Sequence, residues 1–174
     1  RPVSRTIETI ALSETTLTHQ KCASMAAKAQ NLTKTIESRT DNLLEVREFV
    51  LRAAREFGFS EEEASKIVLA VDEACTNVIK HAYQFAPDKQ IEIVILPVKD
   101  SMQITVLDDG KSFNPSSAKL LDLKQHLSHY RRGGLGIYLM RTLMDKVEYK
   151  YAPGKKNEVR LTKYLTASEP SPQT

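Results

Sequence analysis

Three short segments, met in a fixed order, constrain what this chain can fold into. The first is a stretch in which Glu73, Asn77, Lys80 and His81 recur at three- and four-residue spacing, opposite Ile67, Val68, Val71, Ala74, Cys75 and Val78. At about 100° per residue the polar four fall in one sector of a helix and the apolar set on the other side. Such a helix rests on a core and presents an acid, an amide, an amine and an imidazole away from it. The second segment is a strand, Ile104 to Leu107, that runs into Asp108, Asp109 and Gly110. The third places Gly133, Gly134 and Gly136 where another helix opens.

Each segment has a plain structural reading: the wet face of an amphipathic helix, an Asp-Gly turn, a tight helix entry. Each also has a chemical one. A carboxamide oxygen is a hard ligand that suits Mg²⁺, and a carboxylate one turn away can take a proton from a hydroxyl or water. The acidic strand end can accept a hydrogen bond from an exocyclic amine, beside a glycine that lets backbone come close. Bare N–H groups at a glycine-rich helix start suit phosphate.

Around these segments the chain alternates helices and strands. Leu32 to Ser38 alternates like an edge strand, and Asp41 is placed to cap a helix carrying Leu43, Leu44, Val46, Phe49, Val50 and Ala53 to about Phe57. Gly58 should end it. Ser60, with Glu63 three residues on, should open a helix running from Glu61 to about Tyr83 with a capping box. Strands follow at 90–97 and 102–107, then a long connection with a short helix near Ala118 to Leu127. A helix from Gly134 to about Asp145 leads into a hairpin of 146–151 and 158–165. The expected architecture is a two-layer α/β (α+β) sandwich, with a mixed, largely antiparallel sheet covered on one face by helices. Residues 1–31 form an extension, with a strand at Thr6 to Leu12 and a helix at Glu14 to Gln30 as candidates; 32–166 form the domain and 167–174 a disordered tail.

Length bounds the rest. A chain of 174 residues has room for one domain with a sizeable core. A net charge of +3 without a long basic run gives no reason to expect nucleic acid. Cys22 and Cys75 lack metal spacing, and Cys75, on the apolar side of its helix, reads as a buried free thiol. No apolar run approaches the ~20 residues of a membrane span, and the first thirty residues lack the apolar core of a signal peptide, so a cytoplasmic protein is expected. The chain opens on Arg1 rather than Met, which fits a piece of a longer protein.

From about Leu32 to Leu165 the chain resembles the anti-sigma-factor serine kinase family within the GHKL ATPases. Glu73, Asn77, His81, Ala82 and Tyr83 match that family's N box; Asp108, Gly110 and Phe113 match its G1 box; Gly134, Leu135 and Gly136 match its G2 box; and Leu161, Thr162 and Lys163 resemble its last strand. The resemblance implies a Bergerat-type ATP site with residues 110–133 as the ATP lid. Glu73 would be the general base and Asn77 the Mg²⁺ ligand. Asp108 would bind the adenine amine, Gly134 and Gly136 would lie along the phosphates, and Lys80 resembles the phosphate-contacting lysine of related histidine kinases. His81, Gly110, Phe113, Gly133, Leu135 and Thr162 complete the implied ATP-binding set. Two departures stand out: Ser112 occupies a place where the family often has a second glycine, and residues 1–31 have no counterpart in the minimal family domain.

The resemblance implies a kinase that transfers phosphate from Mg-ATP to a Ser or Thr of a STAS-domain anti-sigma-factor antagonist in a partner-switching circuit. A sigma factor is a further partner, and homodimers are common in that family. Two alternatives stay open: a module that binds nucleotide and switches partners without catalysis, and the detached catalytic domain of a histidine kinase. Against the latter, His19 lacks the acidic neighbour expected of a phospho-acceptor.

Overall fold

A computed structural model describes residues 31–112, 135–151 and 154–165. Two-residue alternation organises its sheet. Strand β2 (Gln90–Val98) buries Ile91, Ile93 and Ile95, and β3 (Ser101–Asp108) buries Met102, Ile104 and Val106 on the same face. With β1 (Leu32–Glu37), β4 (Lys146–Lys150) and β5 (Asn157–Tyr164) they form a sheet of order β1-β2-β3-β5-β4. All four pairings are antiparallel, so the sheet, expected to be mixed though largely antiparallel, is antiparallel throughout among the described residues. The reason is the closing hairpin: β5 turns back from β4 and inserts beside β3, leaving β4 at the edge.

Helices α1 (Leu43–Phe57), α2 (Glu61–Asn77) and α3 (Leu135–Leu143) close over the isoleucine face. Val46, Val50, Ile67, Val71 and Met140 share one core with Ile93, Ile104 and Leu161. Each such side chain withdrawn from water contributes about 1.5–3 kcal/mol, which holds the two layers together. The expected thiol fits this layer: Cys75 is free and fully buried, and burial, then the charge of Asp72, pushes its pKa up to about 12.

Local signals set the helix ends with some exceptions. Gly58 closes α1 in the left-handed region, at φ 109°, and the Ser60 hydroxyl accepts the Glu63 N–H at 3.2 Å. The other half of the capping box is not made, because the Glu63 carboxylate pairs with Lys66 and Lys163. Asp41 lies within a 3₁₀ turn, Thr40–Asn42, so Asn42 rather than Asp41 precedes α1, without a side-chain cap. Leu44, expected in the apolar stripe, is exposed. The second helix is α-helical only to Asn77; Val78–Ala82 is a π turn, with Tyr83 N–H donating to Val78 O at 2.9 Å.

Lys163, on β5, is nearly enclosed and joins distant ends of the helical layer. Its ammonium lies 3.0 Å from Glu63 at the start of α2 and 3.5 Å from Asp145 just past α3, and it donates to Leu143 O at 3.2 Å. Burial pushes the Glu63 carboxyl up, but hydrogen bonds from Lys163 and Lys66 outweigh this and hold it below its ordinary value. Among the described residues no helix is long and apolar enough to cross a membrane. The expected extension 1–30, tail 167–174 and short helix near 118–127 lie outside the described residues.

If this core carries the fold, Ile104→Ala should cost about 2–5 kcal/mol in urea unfolding, while Leu44→Ala should shift stability by less than about 0.5 kcal/mol. Comparable losses at the two positions would contradict the layering.

Candidate functional site

A cleft opens where α2 gives way to the π turn. Asn77, Val78, His81 and Ala82 line one side of it. Asp108 and Lys111 line it from the end of β3, Ile137 and Met140 from α3, and Tyr149, Asn157 and Val159 from the hairpin. The π turn is what brings His81 and Ala82 against the β3 end. Closing at i→i+5 spends an extra residue on the turn and shifts the helical phase of the residues beyond it. Lys80, expected on the Glu73/Asn77 face, is consequently exposed and is not among the cleft's lining residues.

Asp108 is the most constrained group here, with 4% of its surface exposed. Antiparallel register sets it opposite Asn157 on β5, so both point to the helix side of the sheet. The Asn157 amide donates to Asp108 Oδ1 at 2.8 Å and to Gly110 O at 3.0 Å, and Gly110 N–H donates to the same Oδ1 at 2.8 Å. Ser112 donates its hydroxyl to Asn157 Oδ1, the carboxamide oxygen, at 2.9 Å. Burial, the largest influence, holds the Asp108 carboxyl above its ordinary value; the two hydrogen bonds pull it down and the charge of Asp109 pushes it further up.

A second latch comes from Tyr83, also buried. Its hydroxyl donates to Gln90 O at 2.6 Å and accepts the Asp109 N–H at 2.8 Å. Lys111 N–H donates to Ala82 O at 3.0 Å. The π turn, the start of β2 and the acidic turn are thereby one unit. Gly110 is required by this closeness: a Cβ there would lie 2.7 Å from Ala82 O.

Gly136, in the first turn of α3, serves a different contact. A Cβ would stand 2.6 Å from Glu73 Oε2 and about 3.5 Å from the Asn77 carboxamide nitrogen, so the helix entry sits directly on the acid–amide pair. Glu73 is half-buried at this contact and does not itself line the cleft. Leu135 is exposed. Phe113, Gly133 and Gly134 lie outside the described residues.

Thr162 is a correction. It pairs with Gln103 and Lys146, one residue out of phase with Asn157, Val159 and Leu161, so it projects from the sheet face opposite the helices. It is also five residues along β5 from the partner of Asp108. The residues that flank the cleft from this strand are Asn157, Glu158 and Val159. Asn157, Lys111, Tyr83 and Tyr149 were not singled out as site residues from the sequence alone. Only Tyr83 carried a signal there, through its place in the N-box match.

Residues 36–163 match the family described as Histidine kinase-like ATPase domain. The Serine-protein kinase RsbW of Bacillus mycoides (strain KBAB4) is 31% identical over 145 residues, which span 81% of this chain and 89% of that protein. The chain belongs to the histidine kinase-like ATPase family, in its RsbW serine-protein kinase branch. The RsbW of Listeria monocytogenes serovar 1/2a is 35% identical over 116 residues, 64% of this chain and 73% of its own length. Two solved structures share the ATPase-domain fold. The SiaB-SiaC complex from Pseudomonas aeruginosa aligns at TM-score 0.60 and 13% identity, over 90% of this chain and 99% of that one. The RsbU and RsbW domains of Rv1364c from Mycobacterium tuberculosis align at 0.56 and 18%, over 80% of this chain and 33% of that one.

For this RsbW-branch chain the two described box glycines should fail differently. Gly110→Ala presses on backbone and should destabilise by about 1–3 kcal/mol in thermal or urea unfolding. Gly136→Ala displaces only the tip of the Glu73 side chain, so it should fold nearly normally and lose kinase activity. Asp108→Asn supplies a pH test. Because the native carboxyl holds its proton to higher pH than the unfolded one, wild-type stability falls as pH rises from the ordinary Asp value of 3.8 through the raised native value, then levels. The asparagine variant should lack that step.

Proposed function

We propose that this chain phosphorylates a serine or threonine of a STAS-domain anti-sigma-factor antagonist, using ATP, in a partner-switching circuit. The observation that carries the reading is the pairing of a buried carboxylate, Asp108, with the Asn77 carboxamide along one cleft, while Gly136 seats the start of α3 on Glu73. Membership of the RsbW branch supports the reaction class.

The residues fit an adenine nucleotide. Asp108 Oδ1 is already occupied by Asn157 and Gly110, so the carboxylate is held in one orientation to accept an exocyclic N–H through its other oxygen. Asn77 would hold Mg²⁺ through its carboxamide oxygen, and the ion would offset charge on the phosphate oxygens when bound. Glu73 accepts the proton of the attacking hydroxyl as its oxygen bonds to the γ-phosphorus and the bond to the β–γ bridging oxygen breaks, releasing ADP. His81 and Lys111 border the cleft and Gly136 borders Glu73. Lys80 is exposed outside the cleft lining and Thr162 faces away from it, so the reading gives neither a role. A sigma factor as the alternate partner, a homodimer and a cytoplasmic location complete the reading.

The test is incubation with radiolabelled Mg-ATP and the STAS protein encoded beside it. Serine or threonine label is expected. Glu73→Gln should lower turnover about 10²–10⁴-fold while ADP binding persists, and Asn77→Ala should lose both. Intact binding and transfer in Asn77→Ala would refute the site, and nucleotide bound without transfer would favour a non-catalytic switch.

A further inference from the structure

Tyr149 is chemically out of place in its surroundings. It sits on β4 opposite Val159, on the helix side of the sheet, with Val147 two residues before it and Ile137 and Met140 lining the same cleft from α3. Phenylalanine would fill this position equally well. The tyrosine instead carries a hydroxyl whose oxygen is buried and has no hydrogen-bond partner among the described residues. Burying a hydroxyl without a partner costs free energy in the unliganded protein, so folding alone gives no reason for it.

The register indicates what the hydroxyl could serve. Val159 pairs with Tyr149 on one side and Val106 on the other, and Asp108 lies two residues beyond Val106 on the same face. By strand spacing and rise, the Tyr149 and Asp108 α-carbons are roughly 12 Å apart across the floor of the cleft. That gap suits a flat heterocycle held between a phenol on one side and a carboxylate on the other. The two ends are also complementary in kind. Asp108 accepts hydrogen bonds, whereas burial, opposed by the charge of Arg141, raises the phenol above its ordinary value and keeps it a donor. A purine offers an exocyclic amine as donor on one edge and ring-nitrogen acceptors elsewhere on its rim, matching both.

We propose that the Tyr149 hydroxyl donates a hydrogen bond to a ring nitrogen of the bound purine, making Tyr149 a base-recognition residue alongside Asp108. The inference rests on the nucleotide-binding reading above. In the unliganded protein the hydroxyl is a stored cost, released when the base arrives.

Calorimetric titration with Mg-ADP and with its 1-deaza, 3-deaza and 7-deaza analogues tests this on the wild-type chain and on Tyr149→Phe. The phenylalanine variant should bind ADP about 3- to 10-fold more weakly, and one deaza analogue should bind both proteins alike. Melting of the ligand-free variant should be unchanged or higher, a sign opposite to that of a structural hydrogen bond. Equal ADP affinity in the two proteins, or the same penalty with every analogue, would overturn the inference while leaving the nucleotide site standing. No ADP binding by the wild type would overturn both.

Discussion

Enclosing a carboxylate at a strand end is costly unless donors meet it, and that constraint governs the site end of this molecule. Asp108 is nearly removed from water, so something must supply N–H groups from within the fold. Asn157 does so from the neighbouring strand and Gly110 from the adjoining turn. Because Asn157 also holds Gly110 O and receives Ser112, one carboxamide organises the whole acidic turn. The insertion of β5 between β3 and β4 is what makes this possible, since only that order puts Asn157 opposite Asp108.

The helical side answers a second constraint. Helix α2 must be apolar toward the sheet and polar toward the cleft within the same few residues. Ala74 and Cys75 are buried while Glu73 and Asn77, their neighbours in sequence, are half-buried. Ending the helix in a wider turn lets Ala82 come within hydrogen-bond distance of the acidic segment, where a regular helix would continue past it. Tyr83 then anchors that turn to β2 and to Asp109, coupling the amide side of the cleft to the carboxylate side.

Much of this was legible in the residues. Two-residue alternation marked β2 and β3 because one face is buried and the other is not, and Gly58 and Ser60 punctuated the helices through backbone conformation and capping, both local properties. The order of the three polar segments carried the family. What stayed hidden was non-local. Asn157 becomes meaningful only once strand pairing sets it across from Asp108, and Thr162 was misassigned because a one-residue phase decides which face of β5 a side chain takes. Lys80 stands apart from the cleft lining because of an extra residue in the turn after Asn77, which no local pattern announced. The Glu63 box failed because Lys163, a hundred residues on in sequence, competes for the same carboxylate.

That lysine has a mechanical side. Helices α2 and α3 run in opposite directions, fastened at one end through Lys163 and touching at the other where Gly136 meets Glu73. Between those ends the helices stay packed along their length, with Met140 of α3 in the same core as Ile67 and Val71 of α2, so the pair holds together as one block. The spacing of the acid and the glycine is therefore a property of the whole packed pair, with the Lys163 clamp at one end and the glycine contact at the other.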